Sequence, residues 1–206
     1  MCIRDREEIT HIKKVEMSEE APLKEKSEGK SFFLELLESL FSSLIVLFLI
    51  YKFIAMPEVV HGASMYPNFD TGERILLEKV TKHFKPYERG EVVILHPPGN
   101  ENIDYLKRVV ALPGDIVKIK DCKVYINRYG EKFELQEYYL DDAVCTTEGT
   151  FFKEGHSVRL SEDEFLVLGD NRSNSIDSRF FGVVKGSNIQ GRVVFRFWPL
   201  DRLGFL

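Results

Sequence analysis

Ser64 sits in Gly62-Ala63-Ser64-Met65-Tyr66-Pro67, a small-residue turn that Pro67 stiffens just behind the hydroxyl. A serine hydroxyl barely ionises near neutral pH, so as a nucleophile it needs a base within hydrogen-bond reach. The favoured base is Lys107, in Tyr105-Leu106-Lys107-Arg108-Val109-Val110. On a strand, Tyr105, Lys107 and Val109 share one face while Leu106, Arg108 and Val110 share the other. Burial of the Tyr105 and Val109 face would desolvate Lys107, disfavour its ammonium form and lower its pKa. That shift matters because, at an unperturbed pKa of about 10.4, only about one lysine in a few thousand is neutral at pH 7. The other candidate base is His61, with Asp170 to orient it. It ranks lower, because in an extended chain residues three apart point to opposite faces.

A third stretch runs Gly169-Asp170-Asn171-Arg172-Ser173-Asn174-Ser175-Ile176-Asp177-Ser178-Arg179 and continues to Gly182. It follows an apolar strand and is dense in side chains that hydrogen-bond turns and one another. As a scaffold it would let a hydroxyl orient the lysine amine while an Asp/Arg pair braces the loop.

These residues need elements to hold them, and the pattern after Pro57 is of short strands separated by Gly, Pro and Asn turns. Candidate strands are 58–61, 74–79, 91–96, 104–111, 116–120, 123–126, 157–160, 165–168 and 192–197. Val193, Phe195 and Phe197 alternate with Arg192, Val194 and Arg196. Regularly spaced short strands imply an all-β fold. The less apolar stretch of about 121–163 reads as an inserted subdomain.

Upstream, residues 32–56 form the one strongly apolar segment, about 25 residues, long enough to cross a bilayer core of roughly 30 Å as a helix. About thirty polar residues precede it and no small-x-small site follows it cleanly, so it reads as a retained anchor rather than a cleaved leader. Residues 1–31 read as a solvated tail. Lys24, Lys26 and Lys30 precede the anchor and only Lys52 marks its far end, which places the tail in the cytoplasm and residues 57–206 outside it.

A net charge of −5 argues against nucleic-acid binding. The five histidines show no metal-ligand spacing, and neither metal nor cofactor is expected. Of the three cysteines, Cys122 and Cys145 could pair outside the cytoplasm, but two separate thiols is the preferred reading.

Together, Ser64-Met65-Tyr66-Pro67, Tyr105 to Val109 with Pro113-Gly114-Asp115, and Gly169 to Arg172 with Ser175, Asp177 and Arg179 resemble the motifs of the type I signal peptidases. These are membrane-anchored serine proteases with a Ser/Lys dyad, and the resemblance spans essentially residues 32–206. It implies a mainly β fold: an antiparallel catalytic domain of the signal peptidase/LexA-like kind, with a small inserted β subdomain and one N-terminal transmembrane helix. It implies Ser64 as nucleophile, Lys107 as general base and Ser175 as the hydroxyl positioning the amine, with Asp170, Asp177 and Arg179 bracing the site. Tyr105 and Leu106, together with Val60 and Met65, would line the substrate site. The partners implied are signal peptides of secreted preproteins and the lipid bilayer. Gly62 stands where some members carry an oxyanion-hole serine, leaving the Ser64 backbone N–H as donor. Other readings are a His61-based protease and a membrane-anchored β-domain that binds partners without cleaving them.

Overall fold

The computed structural model describes residues 28–206, with side chains from Phe32 onward; the expected polar tail lies outside them except for residues 28–31. The described residues fall into two compact units, divided between Leu44 and Ile45. Helix α1 (Glu28–Leu49) is followed by a wider π turn at Ile50–Ile54. The span Phe32–Ile54 is long and apolar enough to cross a bilayer, with its side chains exposed throughout. Helical structure ends two residues earlier than the hydropathy suggests, because Ala55 and Met56 open strand β1 (Ala55–Val59) and pair with Glu78 and Leu77.

The strands that follow are β2 (Arg74–Glu78), β3 (Val92–Leu95), β4 (Tyr105–Ala111), β5 (Ile116–Lys120), β6 (Lys123–Arg128) and β7 (Glu131–Glu134). After them come β8 (Ser157–Arg159), β9 (Glu164–Leu168), β10 (Val184–Lys185), β11 (Ile189–Trp198) and β12 (Gly204–Phe205). One short helix, α2 (Ser178–Phe181), lies between β9 and β10. All pairings are antiparallel, in two sheets. The larger runs β1-β2-β11-β3-β4-β9-β10, with β12 on β11; the smaller runs β7-β6-β5-β8.

The smaller sheet is the expected insertion, but it opens at Ile116 rather than near 121, because β5 pairs with β6 and β8 and not with the main sheet. Its apolar face, with Val117, Ile119, Val124 and Ile126, packs with Val110, Leu166 and Leu168 of the large sheet. The strict alternation expected on β11 is broken by register shifts between Val193 and Phe195 and between Arg196 and Trp198. As a result Arg196 is buried against Glu73 while Phe195 is only half-buried.

The preference for two separate thiols is corrected: Cys122 and Cys145 are joined as a disulfide. The turn between β5 and β6 holds Cys122, and the chain returns alongside it, with Thr146 N donating to Cys122 O at 2.9 Å. Sequence separation hid that return. The bond fixes the 137–147 segment to the small sheet, and closing a loop of this size contributes about 3 kcal/mol by restricting the unfolded chain. A Cys122→Ser/Cys145→Ser double variant is therefore expected to melt several degrees lower than wild type in a thermal denaturation followed by circular dichroism.

Candidate active site

The Ser64 turn is fixed from both sides. Met65 inserts into the core with Phe69, Ile75 and Leu77, and Phe69 N donates to Met65 O at 2.9 Å. The Thr71 hydroxyl donates to Gly62 O at 3.0 Å, and Gly62 holds a positive φ of 85° that a side chain would strain. Asn171 closes the other side: its backbone N donates to Ser64 O and its side-chain amide to Ala63 O, each at 3.0 Å. Ser64 is left half-buried at the surface of this frame.

Lys107 reaches that hydroxyl from β4. It is 3% exposed, and its Nζ donates to Ser64 Oγ at 2.8 Å and to Leu106 O at 3.0 Å. The Tyr105 ring lies 5.0 Å from Nζ, on the face the strand alternation predicts. Burial lowers the lysine pKa to about 8; the charges of Asp177 and Asp170 oppose that fall and Arg179 adds to it. Near pH 7 about a tenth of such lysines would carry a neutral amine, against about one in a few thousand for an unperturbed one.

β4 also leaves a backbone edge open. Strand β9 pairs with Arg108, Val109 and Ala111, while Tyr105 to Lys107 have a strand partner only on the β3 side. A cleft of about 500 Å³ runs along this free stretch. Its lining includes Ala63, Ser64, Tyr105, Leu106, Lys107 and Ser175.

The 169–179 loop holds the two halves together. Gly169 admits no side chain, since a Cβ there would fall 2.5 Å from Ser64 O and 2.2 Å from Ser175 Oγ. Asp177 is fully buried and accepts from Gly169 N at 3.0 Å and from Arg179 Nε and Nη2 at 2.8 Å each, besides capping α2. The Ser178 hydroxyl accepts from Val167 N, so the loop is tied to β9. Ser175 Oγ is buried in the cleft without a hydrogen-bond partner among the described residues and is not bonded to Lys107.

Asp170 takes a different place from the one drawn for it with His61. It accepts a two-point ion pair from Arg108, Nε–Oδ1 2.8 Å and Nη2–Oδ2 2.6 Å, and a further bond from the Asn68 amide at 2.9 Å. His61 lines the cleft without a hydrogen bond to Ser64 or Asp170. Val60 and Met65, expected to line the substrate site, are both core residues absent from the cleft wall; Val60 is held by backbone bonds to Gly72 and Glu73.

Sequence reasoning did not single out Arg108, Asn68, Arg172 or Glu137 as members of this framework. Arg172 is buried and pairs with Glu137 of the 137–147 segment, and the Arg108 guanidinium stacks 4.1 Å from the Tyr139 ring. Arg108 carried a usable signal, since it occupies the face of β4 opposite Lys107 and a buried guanidinium requires a carboxylate. The Arg172–Glu137 pair, 35 residues apart, carried none.

The arrangement places a buried, pKa-lowered amine on a serine hydroxyl, beside a cleft and an unpaired strand edge. That is the equipment of a serine acyl-transfer site. A family model described as signal peptidase, peptidase S26, matches residues 33–198. A signal peptidase I from Leptolyngbya laminosa is 37% identical over 161 residues, covering 75% of this chain and 74% of its own. A probable signal peptidase I-2 from Synechocystis is 32% identical over 91% of this chain and 83% of its own. Signal peptidase IB from Staphylococcus aureus is 36% identical over 84% and 93%. A crystal structure of a signal peptidase I from Enterococcus faecalis, 27% identical, covers 52% of this chain and 97% of its own at a TM-score of 0.42. The family model spans most of the chain, and the relatives are matched over most of their own lengths. The chain belongs to the S26 family of signal peptidases.

Proposed function

We propose that the protein is a type I signal peptidase that removes signal peptides from exported preproteins at the membrane surface, with Ser64 and Lys107 as its catalytic dyad. The observation that carries this reading is the 2.8 Å bond between Lys107 Nζ and Ser64 Oγ, made by a lysine whose pKa is lowered to about 8 by burial.

In the reactive form the Lys107 amine is neutral, accepts the Ser64 proton and leaves Oγ to attack the scissile carbonyl carbon. Charge develops on the carbonyl oxygen. The Ser64 backbone N–H, which has no acceptor among the described residues, is the donor assigned to it in this reading. The ammonium then returns its proton to the departing amine, and water, activated by the same lysine, hydrolyses the acyl-enzyme. Leu106 O, which the amine already bonds, orients it, and the unpartnered Ser175 hydroxyl of the same cleft would add a second contact in the working complex. Asp177 with Arg179, and Asp170 with Arg108, hold the loop and β4 that carry these groups.

The free edge of Tyr105 to Lys107 supports substrate binding by strand addition, with side-chain hollows choosing small residues before the bond. Membrane anchoring by Phe32–Ile54, with the N-terminus cytoplasmic and residues 57–206 extracytoplasmic, rests on the length and hydropathy of α1 and on the lysines before it. Ser64 follows Ile54 by ten residues, so the chain between them spans at most roughly 36 Å, which suits a substrate that is itself tethered in the bilayer.

Preprotein cleavage by the full chain in detergent micelles tests the dyad. Ser64→Ala is expected to abolish turnover, and Lys107→Ala to lower kcat by roughly a hundred- to ten-thousandfold; wild-type activity in either would sink the assignment. Because the neutral amine is the working form and the folded pKa lies near 8, kcat/KM should rise about tenfold per pH unit below that value and level off above it. A profile flat from pH 6 to 9 contradicts Lys107 as base. Gly169→Ala, whose methyl group would press on Ser64 O and Ser175 Oγ, is expected to slow labelling of Ser64 by a serine-directed acylating probe at least tenfold, since the turn must shift to admit it.

A further inference from the structure

A second hollow, also of about 500 Å³, adjoins the first. Its walls include Tyr66 and Pro67 on one side and Leu140, Asp141 and Val144 on the other, with Ser173 between them. Ser173 lines both hollows, and the Ser64 turn divides them: Ala63 and Ser64 face the first, Tyr66 and Pro67 the second. An extended chain advances about 3.3 Å per residue and passes through the scissile bond in one direction. If the acyl half lies along the open edge of β4, as the reading above holds, the half that departs must continue beyond Ser64.

We propose that this second hollow binds the leaving half of the substrate, the first residues of the mature polypeptide, and that Asp141 selects against acidic side chains there.

The hollow is a built surface. Its far wall belongs to the 137–147 segment, which three separate ties hold in place. Cys145 is bonded to Cys122. Glu137 pairs with the buried Arg172. Tyr139 stacks on Arg108, and its carbonyl accepts from the Asn68 amide at 2.7 Å. Pre-organisation of this kind reduces the ordering cost of binding. Tyr66 and Val144 are 54% and 37% exposed, so apolar surface is open to a passing chain.

Charge distinguishes the hollow further. Arg172 is compensated by Glu137 and Asp170 by Arg108, and both are buried. Asp141 is exposed and meets no cation among the described residues; its Oδ1 accepts only from Ala143 N at 2.9 Å. It is thus the one uncompensated charge on the wall, and it would repel a carboxylate carried two or three residues beyond the bond.

The test uses internally quenched peptides that are identical before the scissile bond and carry Lys, Gln or Glu at the second and third positions after it, cleaved by the full chain in micelles. The wild type is expected to process the Lys peptide more efficiently than the Glu peptide. Asp141→Asn keeps the turn acceptor and removes the charge, and should narrow that ratio about two- to fivefold, the range for exposed charge pairs. Val144→Glu adds a second carboxylate at an exposed wall position and should widen it. Ratios unmoved by both variants, or moved in the same direction, overturn the subsite while leaving the peptidase reading intact. Absence of cleavage of every peptide by the wild type, with Ser64 unlabelled by an acylating probe, overturns the peptidase reading and the subsite with it.

Discussion

The structure depends on keeping an amine dry. Lys107 is 3% exposed, and burying an ammonium without full compensation costs several kcal/mol, so the fold holds it at the boundary between charged and neutral forms. Two carboxylates, Asp177 and Asp170, act on it in the stabilising direction, and each is itself bound to an arginine. Their charges are thereby blunted. Desolvation wins, and the lysine pKa comes down toward the range where a base is useful.

The same ion pairs settle the geometry. Arg108 sits on β4 directly after Lys107 and points to the other face, so its clamp on Asp170 fixes the strand that carries the amine to the loop that follows β9. From that loop Asn171 returns to the Ser64 turn through two hydrogen bonds, and Gly169 lets the backbones approach. Serine, lysine and loop therefore form one closed circuit. A displacement at any of the three is felt at the other two, because the contacts are close-packed and leave little room to relax.

Much of this was legible in the sequence. The order of strands, the anchor-length apolar helix and the Ser64 and Lys107 motifs follow from local periodicity and from short residue patterns, which act over a few positions. What stayed hidden depends on long-range return of the chain. The disulfide required that the 145 region come back to the β5–β6 turn, and β5 chose the small sheet because its partners β6 and β8 lie there. β7, β10 and β12 were missed because they are two to four residues long and too polar or too brief for an alternating pattern. Asp170 was read as a brace without its partner being named, and only the less favoured reading set it beside His61; the partner is the buried guanidinium of Arg108, which the face of β4 opposite Lys107 could have signalled.

The open stretch of β4 carries a further consequence. Main-chain donors and acceptors are the same for every residue except proline, so recognition along such an edge is blind to most side chains. An enzyme that grips its substrate this way spreads affinity over the common backbone and leaves discrimination to a few hollows beside the bond. On the proposed function, such a division would let one active site serve many unrelated client chains, provided each arrives extended and small at the point of cleavage. It would also account for the rigidity of the fold: with little sequence information to read, accuracy would come from where the bond is held.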